Sequence, residues 1–231
     1  MDISRLLARC PDVVTLIVGP GQAKITCHTT LLGFKSEYFD AACFGGFQPS
    51  ESGEIRMLEE CPEAVSVFVS WLYTGRIPSC STPPLALWIL GDALRSPEFT
   101  NEAMHALFVE CEQDVIKAET AEYIYANTSR GSKLRTFVKD LVLQESPLGY
   151  GQDSGDENRQ SSAYENAWKE LIRQGGDLVV DVAMEGSFLY NSIAAPEPCR
   201  SANHSKYMEP ITTRPIEDFL EGKPREGTRK I

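Results

Sequence analysis

Histidine, basic charge and long apolar runs are what this sequence has least of, and each shortage closes off a class of function. Three histidines are spread through the chain, at 28, 105 and 204, and no Cys-x-x-Cys pair accompanies any of them, so zinc has no ready framework. Lys and Arg number 22 against 33 Asp and Glu, a formal charge of −11. A phosphate-binding surface depends on clustered cations, so direct nucleic-acid binding is not expected; only Lys223, Arg225, Arg229 and Lys230 form a small basic end. No stretch approaches the ~20 apolar residues of a membrane helix. Gly-rich phosphate loops and Gly-x-Ser-x-Gly elbows are missing, and no Cys/His pair has a plausible orienting acid, so neither an enzyme nor a cofactor is expected. The Gly19-Pro20-Gly21 turn is no nucleotide fingerprint, since a strand rather than a helix follows it.

Hydrophobic residues, by contrast, make up 42% of the chain, enough for a real core. The seven cysteines are odd in number, scattered, and set mostly in apolar segments, where they read as small buried hydrophobes of a reducing compartment. The first residues, Met1 to Arg9, carry no apolar core or cleavage pattern. The expectation is therefore a cytoplasmic or nuclear protein.

The densest apolar stretch is Cys61 to Gly75. Val65, Phe68, Val69, Leu72 and Tyr73 recur at helical spacing, while Val67 and Trp71 add bulk opposite, which predicts a helix buried nearly all round. Pro62 suits its first turn and Gly75 the left-handed position past its end. Before it, Val13–Val18 reads as a buried strand, and Ala23, Ile25 and Cys27 alternate with Lys24 and Thr26 as a second, half-buried strand of a hairpin. Thr29 and Thr30 would cap one helix running from Leu31 to Phe44. A polar loop then leads to a third strand at Ile55–Leu58. After the central helix come further helices at 85–94, 101–111, 115–127 and, capped by Ser132, a last one whose stripe of Leu134, Phe137, Val138, Leu141 and Val142 reads as core. This is an α+β pattern, a small sheet with helices packed around it.

Composition changes after Ser146-Pro147. Residues 149–162 are Gly, Ser, Asp, Asn and Gln with Glu157, Arg159 and one aromatic, too polar to fold alone. The expected organisation is an N-terminal arm over 1–11, a domain with a helical C-terminal extension over 12–143, and a mostly disordered tail over 144–231. Within that tail one short amphipathic helix is predicted near 163–174, with Asp177–Ala183 apolar enough to dock.

Several strings occur in order at matching spacing: Asp12-Val13, His28, Lys35-Ser-Glu-Tyr-Phe39, Gly45-Gly-Phe47, Pro62-Glu-Ala64, Phe68-Val-Ser-Trp-Leu-Tyr-Thr-Gly-Arg76, Asn101-Glu-Ala-Met104 and Asn127-Thr128. Together they resemble the BTB/POZ domain, most of all the short BTB proteins abundant in fungi, over about residues 11–143. The resemblance implies the BTB/POZ fold and a protein-interaction module rather than an enzyme. Family members self-associate, bind co-regulators, or contact a cullin scaffold as substrate adaptors of ubiquitin ligases. The partners it implies are thus other proteins: a second copy, a cullin, or, for a transcription co-regulator without its own DNA-binding module, a regulatory complex.

The same resemblance nominates sites. Asp12, with His28 and Thr29, stands at the dimer pocket, although relatives that dimerise there place a basic residue where Thr29 sits. His28 itself reads as a hydrogen-bonded structural histidine. Phe47, Gln48, Pro49 and Glu51 form the candidate partner-binding loop, in which cullin-binding relatives carry a bulky apolar residue and, two positions on, Glu. Phe47 fits, but Pro49 takes the acidic place and Glu51 lies two residues further. Trp168, Leu171 and Ile172 define the tail helix, which could pack back, be only transiently helical, or serve as a partner's helix-in-groove ligand. Cys199 and His204 are at best half of a zinc site.

Overall fold

The computed structural model describes residues 3–9, 11–45, 53–112, 114–145, 147, 161–186, 197–212 and 214–223. They fall into two compact units, one of 1–103 with 209–231 and the other of 104–208.

The first unit is built on a three-stranded sheet in the order β2-β1-β3. β1 (Val13–Val18) pairs antiparallel with β2 (Ala23–His28), Val13 facing His28 and Val18 facing Ala23. It pairs parallel with β3 (Glu54–Met57), Thr15 facing Glu54. As the middle strand, β1 buries Val14, Leu16, Ile17 and Val18 on both faces, which explains an apolar run interrupted only at Thr15. β2 keeps one face wet and so alternates.

The helices are α1 (Ile3–Arg9), α2 (Thr29–Lys35), α3 (Glu37–Phe44), α4 (Pro62–Thr74), α5 (Pro84–Ala93) and α6 (Pro97–Cys111). α4 has Pro62 in its first turn, and Gly75 ends it at φ 70°, a left-handed geometry that costs a glycine nothing. Its Val65, Val67, Phe68, Val69, Trp71 and Leu72 are all buried. Phe68 sits in an aromatic cluster with Phe39, Trp71 and Phe99 at centroid distances of 5.0 to 6.2 Å. Tyr73, by spacing a member of the same face, is partly exposed.

Two elements differ from the sequence expectation. The single helix over 31–44 is two, because Ser36 adopts extended backbone (φ −136°, ψ 127°). Its Oγ accepts from the Phe39 amide to cap α3 and donates to the Leu94 carbonyl at 2.6 Å. Residues 3–9, taken as arm, form α1, anchored by the fully buried Leu6.

The second unit holds α7 (Ala118–Asn127), α8 (Lys133–Glu145), α9 (Ser161–Gln174), α10 (Asp177–Gly186) and a 3-10 helix at Ser201–Tyr207, with the last turns of α6. Ser132 Oγ caps α8 at the Arg135 amide, and the stripe of Leu134, Phe137, Val138, Leu141 and Val142 is buried. Beyond 144, where the sequence points to one short helix in a mostly disordered tail, the structure has α9, α10, the 3-10 helix and, in the first unit, α11 (Ile216–Leu220).

Candidate interaction surfaces

The β1–β2 register fixes the first candidate site. With Val13 opposite His28, the residues just outside the pair, Asp12 and Thr29, meet. The Asp12 carbonyl accepts from both the Thr29 amide, at 3.0 Å, and the Thr29 hydroxyl, at 3.1 Å. Asp12 is solvent-exposed. Its backbone oxygen, not its carboxylate, holds Thr29. His28 is pinned from α4: its amide donates to the Tyr73 hydroxyl at 3.2 Å, and its Nδ1 lies 2.7 Å from the same oxygen. An oxygen that accepts the amide hydrogen can offer its own proton to Nδ1, so the ring is committed to fastening strand β2 to α4. Asp12, His28 and Thr29 are thus brought together, and Tyr73, whose spacing marked it only as apolar, is the residue that completes the cluster. Burial pushes the neighbouring Cys27 thiol up to about 11, which leaves it an unreactive core residue.

The second candidate site, Phe47, Gln48, Pro49 and Glu51, lies outside the described residues. On its near side α3 ends at Phe44, a half-exposed ring; on its far side the chain resumes at Gly53 and enters β3.

Residues 7–110 match the family model of the BTB/POZ domain. That region spans the sheet, the split α2–α3 pair and the buried α4 just described. This stretch has the BTB/POZ fold. Two relatives are similar to part of the chain. Kelch-like protein 30 of Mus musculus is 33% identical over 73 residues, 32% of this chain and 12% of the relative. Kelch-like protein 30 of Homo sapiens is 38% identical over 64 residues, 28% of this chain and 11% of the relative. The chain therefore covers little more than a tenth of the length of either relative. The BTB/POZ domain is a protein-interaction module. Among the described residues no cluster of three His, Cys, Asp or Glu is placed to hold a metal ion, and no helix is long and apolar enough to cross a membrane.

Outside the BTB/POZ domain, the tail helix α9 turns its stripe inward. Trp168 is 2% exposed and Leu171 is buried, with Ile172 at the rim. Tyr164 donates to the Ile116 carbonyl at 3.0 Å. Trp168 and Leu171 wall an apolar groove of about 320 Å³ with Val142, Leu178 and Val182. Cys199 and His204 do not converge on a common point as ligands would. His204 Nε2 bonds the Cys199 carbonyl at 2.8 Å, and its ring stacks on Phe108 at 3.7 Å. The Cys199 thiol instead pairs with Cys111, whose hydrogen bond lowers the Cys199 pKa and raises that of Cys111.

Sequence reasoning missed two buried charges here. Arg135 is inside the unit, bonding Thr128 Oγ1 at 3.1 Å, the Tyr125 carbonyl at 2.6 Å and Asp177 at 3.2 Å. Asp140 accepts from Tyr207 Oη at 2.7 Å and Lys206 Nζ at 2.6 Å. Both lie on α8 beside its apolar stripe, where a single charged residue in an amphipathic helix carries no mark separating a core ion pair from a wet face.

Proposed function

We propose that this chain recruits a protein partner of another kind through the outside of its BTB/POZ domain, inside the cell and without catalysis. The partner class that fits best is a cullin scaffold, with the chain as substrate adaptor and the Phe47–Glu51 loop as the contact. The likeness to short fungal BTB proteins belongs to the same reading.

One observation carries the preference for an unlike partner over a second copy. Thr29 occupies the place where self-pairing relatives carry a basic residue, and it spends both its amide and its hydroxyl on the Asp12 backbone carbonyl. A carboxylate without that cation gains nothing from being buried against a second copy, since an uncompensated buried charge is costly.

The test combines light scattering of the full chain over a range of concentrations with cullin co-purification by the wild type and Phe47→Ala. A monomer mass and a cullin interaction weakened about 30-fold or more by the variant, the scale of an anchor residue, are the expected results. A stable dimer at every dilution, or no cullin retained by the wild type, refutes the reading.

A further inference from the structure

Residues 209–212 and 214–223, which end in the short helix α11, pack on the first unit as a strap, and the way they are held is the way proteins hold short peptides. At the start, Asn101 reads the backbone of Glu209 twice: its Oδ1 accepts from the Glu209 amide at 2.7 Å and its Nδ2 donates to the Glu209 carbonyl at 3.0 Å. One side-chain amide thus grips the backbone of one residue whatever that residue's side chain. Five residues on, Arg214 is almost wholly buried, its side chain 8% exposed, and pairs with Asp40 of α3 at 2.9 Å. Five residues further, Phe219 is 7% exposed and stands edge-on to two rings, Phe34 of α2 and Phe44 of α3, each at 5.5 Å. The Arg214 guanidinium lies over the Phe219 ring at 4.9 Å, so the two anchors are also fitted to each other. Arg5 of α1 meets Glu217 at 2.8 Å on the exposed rim.

We infer that the α2–α3 face of the BTB/POZ domain is a peptide-recognition site, for a segment with a basic residue five positions after the Asn101-bound residue and an aromatic residue, on a short helix, five positions beyond that. The chain's own C-terminal segment fills this site in cis. Asn101 supplies register, Asp40 selects the cation, and Phe34 with Phe44 select the ring, a division between backbone grip and side-chain pockets found in many peptide-binding modules. The seal is partial, because Phe44 stays half-exposed with Phe219 against it. A tethered ligand held by one ring, one buried ion pair and one backbone clamp competes with other peptides through its high local concentration rather than through a large buried area. This inference does not depend on whether a cullin is the partner.

The experiment uses the full chain and a fluorescein-labelled synthetic peptide of residues 209–223, read by anisotropy. The doubly substituted chain Arg214→Ala, Phe219→Ala, with its own segment disabled, is expected to bind the peptide at least about tenfold tighter than the wild type, as removal of a tethered competitor requires. Adding Asp40→Arg to that chain should abolish binding. Equal affinity in the wild type and the double variant, or no binding by a folded double variant, overturns the inference. Should the double variant fail to fold, hydrogen exchange of the wild type with excess unlabelled peptide reads the same competition: faster exchange of the chain's own 216–220 amides supports it, and unchanged rates refute it.

Discussion

Trp168→Ala, compared with Trp168→Phe, separates a structural tail helix from a partner-seeking one. Trp168 is 2% exposed, so truncation to alanine removes a full aromatic side chain from a packed site. Such changes cost about 3–5 kcal/mol. The lower end applies here because the adjoining groove of about 320 Å³ lets neighbours close in. Phenylalanine behaves differently. The indole Nε1 is buried with no acceptor among the described residues. Burying such an N–H costs about 1–3 kcal/mol, which phenylalanine avoids and which offsets the area lost with the smaller ring. We therefore expect Trp168→Phe to stay within about 1 kcal/mol of the wild type, a balance of these two effects. Thermal unfolding of the full chain by circular dichroism reads the difference. At about 4–8 °C per kcal/mol for a unit of this size, alanine should lower the transition by about 12–24 °C and phenylalanine by little. An alanine variant as stable as the wild type would show that α9 is not part of a core. Equal losses for both variants would show that the orphan N–H is not the offsetting cost.

Two other substitutions probe joints in the structure. Ser36→Ala removes both the cap on α3 and the bond to Leu94, and should lower stability by about 1–3 kcal/mol, seen as a reduced urea midpoint with an unchanged slope. Asp177 receives hydrogen bonds from Arg130, foremost, and from Arg135, which hold its carboxyl below the ordinary value. A depressed carboxyl stabilises the fold above its unfolded pKa, near 3.9, and loses that contribution as pH falls through the lower folded value. Asp177→Asn should therefore melt below the wild type at neutral pH and converge with it in acid; a gap that persists at low pH would contradict the assignment.

What was legible in the sequence is what short-range periodicity encodes. The hairpin, the third strand and the buried α4 follow from alternation and from 3.6-residue spacing within single segments. The break at Ser36 was hidden because Leu31, Leu32, Tyr38 and Phe39 keep helical spacing across it. The signal lies in Ser36 itself, a good cap residue followed at once by Glu37, outweighed by the periodicity around it. Arg135, Asp140 and Arg214 are buried by partners 42, 67 and 174 residues away, distances at which no local pattern can speak. Tyr207 and Phe219, isolated among prolines and charges, looked like ornaments of a disordered tail for the same reason. The strap is likewise unreadable in advance, since its only local feature is an even spacing of Glu209, Arg214 and Phe219.

The aromatic slot also depends on a residue that contributes no ring to it. A Cβ on Gly33 would stand 2.6 Å from Phe44 Cε2, too close for both to remain. Phe44 is half-exposed and can swing away cheaply, so a methyl group at position 33 would tilt that ring toward solvent and splay the slot open. The gauge of the recess is thus set by one hydrogen atom on α2, and altering it would blunt aromatic selectivity while every residue that touches the strap keeps its identity.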